Sequence, residues 1–125
     1  MNWILEKLPI GKWDLIGCLS FEDRFKATLS NLSETDKLNN VLFHKIIDPP
    51  SRDSDLIDEK LRINHELFLN LNRSEEDIES FNLLEPTSKL LNSIDAFIAK
   101  SNGNVILDIS TFPKRFFFPI IKILL

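Results

Sequence analysis

A single cysteine, Cys18, stands in the 125 residues, so no disulfide closes within the chain. Its apolar neighbours Ile16 and Leu19 predict a buried, unreactive thiol. Glycine is scarce as well, with three in the chain, and neither GxGxxG nor GxxxxGK(S/T) occurs. That argues against a conventional dinucleotide or P-loop phosphate site. Basic residues are outnumbered, 15 Lys and Arg against 19 Asp and Glu, for a net charge of −4. A general nucleic-acid binder carries the opposite balance. Tyrosine is absent; ten Phe and two Trp make the aromatic content core-type. No long apolar run is present. The tail "FFFPIIKILL" falls short of the ~20 residues that cross a bilayer and contains Pro119 and Lys122. The start, "MNWILEKLPIGKW", has charges within its apolar run and no small-residue cleavage site, so it is not a signal peptide and a cytoplasmic protein is expected.

The two histidines, His44 and His65, lack metal-ligand spacing, and Ser20 is not in a GxSxG elbow. No metal, cofactor or hydrolase triad is expected from these residues. His44 is expected to face a helix or the sheet surface, and His65 lies on a helix beside Glu66.

Four short apolar runs read as strands buried on both faces: Trp13–Ser20, Val41–Ile47, Ile78–Leu84 and Val105–Ile109. A stretch of helical period follows each. Phe21, Phe25, Leu29 and Leu32 form one face after the first, with Glu22 and Asp23 in a first turn where the helix dipole favours acid. After Asp48-Pro49-Pro50, the segment 51–72 carries Ile57, Leu61, Phe68 and Leu71 on one stripe, with Asp53 or Ser54 as cap. Its Leu61, Ile63, Leu67, Leu69 and Leu71 also alternate like a strand, but its length, cap chemistry and few β-branched residues favour a helix. Thr87 or Ser88 caps a third helix with Leu90, Leu91, Ile94, Phe97 and Ile98 on one stripe, and Gly103 is available for a left-handed turn after it. Pro113 suits the first turn of a last helix.

Strand followed by helix, four times over, predicts an α/β fold: a Rossmann-like open parallel sheet of about four strands with helices on both faces. The expected order is 3-2-1-4, with residues 1–125 forming one domain or the N-terminal part of one. Ligands of such sheets bind beyond the carboxyl ends of the strands, where the order reverses. That brings together Ser20, Glu22, Asp23 and Arg24 after the first strand and Ser110, Thr111, Lys114 and Arg115 after the fourth. Helix N-termini, two hydroxyls and three cations suit a nucleotide or another phosphate-bearing ligand. The same residues also admit plainer roles. Ser110 or Thr111 would cap the last helix, Arg24 would pair with Asp108 or a nearby carboxylate, and Lys114 and Arg115 would be solvated.

The turn "SFEDR" and the later "DISTFPKR" resemble the nucleotide-sensing CRISPR-associated Rossmann fold (CARF) domains of prokaryotic antiviral systems. The resemblance implies that Ser20 and Arg24 in the first turn, and Ser110, Thr111 and Lys114 in the second, grip a cyclic oligonucleotide. The family's second turn has glycine where this chain has Phe112-Pro113.

Three functions follow as expectations. One is a ligand-sensing module, another a non-catalytic subunit or fragment. The third is a small nucleoside- or nucleotide-cleaving hydrolase using Glu22 or Asp23 as acid or base. The tail bears on the second. Phe116, Phe117, Phe118, Ile120, Ile121, Ile123, Leu124 and Leu125 predict a helix apolar nearly all round, next to an edge strand. Cover for it is expected from a homo-oligomer contact, a protein partner or a continuation of the chain.

Overall fold

The computed structural model describes residues 11–101 and 103–125. Its four strands are β1 (Trp13–Leu19), β2 (Leu38–Ile47), β3 (Ile78–Asn82) and β4 (Val105–Leu107). Its helices are α1 (Ala27–Ser33), α2 (Ser54–Leu69), α3 (Thr87–Ala99) and α4 (Lys114–Leu124). All strand pairs are parallel and the order is β3-β2-β1-β4. This is the open Rossmann-like sheet expected from the alternation of apolar runs and amphipathic stretches. The described residues contain no helix long and apolar enough to cross a membrane.

The central strands are apolar along their length because each face meets helices. Successive side chains of a strand point to opposite faces. Leu15, Leu19, Val41 and Phe43 therefore join Phe25, Leu29, Leu32, Leu61 and Phe68 in one core, on the side of α1 and α2. Ile16, Cys18 and Leu42 join Phe81, Leu90, Ile94, Phe116 and Ile120 in the other, beneath α3 and α4. Gly17 points into the first core, and a Cβ there would come within 2.6 Å of the Phe43 ring. The missing side chain makes room for the aromatic one across the ladder.

Some local expectations give way. The helix expected from Phe21 begins as a 3-10 turn over Asp23–Lys26 and becomes α-helical only at Ala27. Neither Thr87 nor Ser88 caps α3; Pro86 holds that position and its extended backbone starts the helix. Asp53 stands at the start of α2 without a side-chain cap bond, while Ser54 Oγ donates to the Ser51 carbonyl at 2.8 Å. Gly103 has the positive φ, +95°, that its position before β4 suggested.

The last helix is one-sided rather than apolar all round. Phe116 and Ile120 are fully buried, and Phe117, Ile123 and Leu124 pack partly against the same core. Lys114, Arg115, Phe118 and Lys122 face outward. The three- and four-residue steps from Arg115 to Phe118 and on to Lys122 place that phenylalanine on the charged face, where it is 61% exposed.

Candidate functional site at the carboxyl edge of the sheet

Two turns meet at the reversal between β1 and β4. In the first, Ser20 Oγ accepts the Glu22 N–H at 3.2 Å. Arg24 Nε lies 2.8 Å from Glu22 Oε2, so the arginine pairs with its own turn and not with Asp108. Asn64, fully buried on α2, holds this turn from beneath. Its Nδ2 donates to the Ser20 carbonyl at 2.8 Å and to the Glu22 carbonyl at 3.4 Å. Its Oδ1 has no partner among the described residues.

In the second turn, Asp108 Oδ1 accepts the Ser110 N–H at 3.0 Å. Thr111 Oγ1 donates to the Cys18 carbonyl at 2.7 Å, tying the turn to β1. Neither hydroxyl caps α4; Pro113 stands at the N-cap, and its carbonyl accepts the Phe116 N–H at 2.9 Å. Phe112 is buried against the core.

Between the turns lies a cavity of about 310 Å³. Ser20, Phe21, Glu22 and Arg24 line one side and Ser110, Thr111, Phe112 and Pro113 the other. Ile46, Ile47 and Asp48 at the end of β2 and Ile57, Asp58 and Leu61 of α2 also belong to the wall. Five of the eight side chains singled out from sequence thus share one cavity; Asp23, Lys114 and Arg115 are not in its wall. Asp23 turns outward to Lys60 at 2.9 Å, and that hydrogen bond lowers its pKa. Arg115 bridges α4 to the loop after β3, donating to the Leu83 carbonyl and, at 2.8 Å, to the Glu85 carbonyl. Its guanidinium lies 5.2 Å from the centroid of the Phe116 ring. Lys114 is exposed.

The wall is therefore more acidic than basic. Glu22, Asp48 and Asp58 are set against Arg24 alone. Cys18 also lines the cavity, but burial pushes its thiol up to about 12, so it stays protonated and is no nucleophile at neutral pH. Among the described residues no group of three or more His, Cys, Asp or Glu side chains could hold a metal ion.

Sequence reasoning missed Asp48, Asp58 and Asn64. Asn64 did leave a signal. It stands three residues after Leu61 and four before Phe68, on the inward stripe of α2, where an apolar residue was due.

No protein-family model matches the chain, and neither does any curated protein or solved structure. The fold itself, an open parallel α/β sheet with a cavity at its order reversal, is of a kind compatible with ligand binding in general.

Proposed function

We propose that the chain is a ligand-sensing module that takes a nucleotide, or a related phosphate-bearing molecule, at the carboxyl edge of β1 and β4. The observation that carries this reading is the opening of both polar turns into one cavity at the strand-order reversal. The composition of the wall favours a ligand with two chemically different ends. Asp48 and Asp58 suit donors such as ribose hydroxyls and base amino groups, since a carboxylate only accepts hydrogen bonds. Arg24 and the Ser110 and Thr111 hydroxyls suit the anionic end. The cavity size lies at the low end of small-molecule sites, ~300–1,000 Å³, which fits one nucleotide unit. A cyclic oligonucleotide, the ligand class implied by the resemblance to CARF domains and the antiviral role that goes with it, would set one of its nucleotides there. The cleaving reading is weaker, because of its two carboxylates Asp23 is drawn out to Lys60 with a lowered pKa, the wrong direction for a general acid, and Glu22 is paired with Arg24 at 2.8 Å.

Calorimetric titration with mononucleotides, cyclic oligonucleotides, nucleosides and inorganic phosphate tests the proposal. Nucleotides should bind more tightly than nucleosides or phosphate alone. The Arg24→Ala variant, altered at an exposed side chain, should bind at least about tenfold more weakly, the loss expected for one charge-assisted hydrogen bond. Equal affinity for wild type and an Arg24→Ala, Lys114→Ala double variant would overturn it.

A further inference from the structure

A second group of titratable side chains meets on the α2 side of the sheet. Lys45 follows Phe43 in the alternation of β2 and so points toward α2. His65 comes from α2, and Glu75 from a 3-10 turn over Glu75–Asp77 just before β3. All three line a cavity of about 430 Å³ that also contains Ile47, Leu61 and Leu69. Lys45 Nζ lies 3.1 Å from His65 Nδ1. On the far side of the ring, His65 Nε2 lies 2.8 and 2.9 Å from the two carboxylate oxygens of Glu75.

The chemistry of the partners assigns the ring protons. A lysine ammonium has donors only, so Nδ1 accepts from it, and the neutral imidazole carries its proton on Nε2, donating to Glu75. The order is then amine, imidazole, carboxylate: a nucleophile within hydrogen-bond reach of a base that a third group orients. The geometry also gives a proton a path along this line. As arranged, the ammonium touches a neutral ring and is separated from Glu75 by it. Moving one proton from Nζ to Nδ1 puts an imidazolium in direct contact with the Glu75 carboxylate and frees the amine's lone pair. Asp58, Arg62 and Glu66 also line the cavity, and Arg62 is already held by Glu59 and Glu66 at 2.6 and 2.7 Å.

We propose that Lys45, His65 and Glu75 form a second site at which Lys45 captures a small aldehyde as an imine. The freed Nζ pair attacks the carbonyl carbon, a C–N bond forms, and the oxygen takes the proton held by His65. His65 then takes a proton from nitrogen and returns it to the hydroxyl, which leaves as water. In sum the ammonium and the aldehyde give a protonated imine and one water, and His65 ends neutral. Glu75 is a positioning residue, holding the ring with Nδ1 toward Lys45.

The full chain is treated with propionaldehyde and cyanoborohydride, which reduces imines as they form, and the alkylated lysines are mapped by peptide mass spectrometry. Lys45 should be alkylated at least about tenfold faster than the other lysines near neutral pH. His65→Gln should bring it down to their rate and make the pH dependence of its labelling the same as theirs. Glu75→Gln, at an exposed side chain that leaves the fold in place, should give an intermediate rate. Labelling of Lys45 at the common rate overturns the proposal, and so does fast labelling that neither substitution changes.

Discussion

Among the described residues, three buried polar side chains have one atom each without a partner there: Asp14 Oδ2, His44 Nδ1 and Asn64 Oδ1. His44 is the most consequential. It is fully buried between the rings of Phe81 and Phe112, and its Nε2 meets Ser93 Oγ at 3.0 Å. With the proton on Nε2 the orphan is an acceptor, a smaller penalty than an orphaned N–H. Burial pushes its pKa down from 6.5 to about 4. The folded protein therefore keeps the ring neutral in a range where the unfolded chain takes up a proton. The contribution to stability is full above about pH 6.5 and is lost as pH falls toward about 4, roughly 3 kcal/mol at most. Urea denaturation at pH 7.5 and 4.5 should show a smaller drop for His44→Phe than for wild type; equal drops would assign the acid sensitivity to other groups. At this scale the sequence was legible only in part. The Ser20, Glu22, Arg24, Ser110 and Thr111 side chains could be placed near one another because turns at strand ends are read from polarity and proline. Asp48 and Asp58 could not, since a carboxylate on an outward helix position and one bordering a cleft look alike until the strands are in register.

Among the elements, all four strands were found from their apolar runs, but their ends were not: β2 begins at Leu38, three residues before Val41, and β3 stops at Asn82, two before Leu84. β4 is cut short as well. It pairs only over Val105–Leu107, as Asp108 closes a turn onto Ser110 and takes Ile109 out of the ladder. That side-chain competition with the ladder is invisible in an apolar count. The last helix was misjudged for the opposite reason. Counting its apolar residues hid the angular order that sends Phe116 inward and Phe118 outward. The two differ sharply in expected cost. Phe116→Ala should destabilise by about 3–5 kcal/mol, as large-to-small changes in a packed core do. Phe118→Ala should change stability by under about 0.5 kcal/mol, as isolated surface changes do. Urea midpoints of the two variants decide it. Similar losses at both would mean that a second copy or another partner covers the outward face in solution.

For the whole molecule, the order β3-β2-β1-β4 followed from rules of connection rather than from any one residue, because parallel neighbours require crossovers and crossovers have one hand. Register had no such rule behind it, and the shift in the β1–β2 pairing between Trp13 and Leu15 had no mark in the sequence. The two cores share the sheet, so neither should stand alone. A chain ending at Asn104 loses β4 and α4, and with them Phe112, Phe116 and Ile120 from one face. Each buried side chain of this kind contributes about 1.5–3 kcal/mol, against a total stability of only ~5–15 kcal/mol for a domain. Circular dichroism of that shortened chain should show no cooperative thermal transition; a sharp one would mean that α1, α2 and α3 hold the three remaining strands without β4 and α4.

The place of β1 in the middle of the order has a consequence for synthesis. β1 pairs with β2 on one side and β4 on the other, so an early strand waits for a late one. At ~5–20 residues per second, a ribosome takes on the order of 4–20 seconds to pass from Leu19 to Val105. Throughout that interval one edge of β1 stays bare, and the sheet face under α3 and α4 lacks Phe116 and Ile120, so the newborn chain is most in need of a chaperone just before α4 appears.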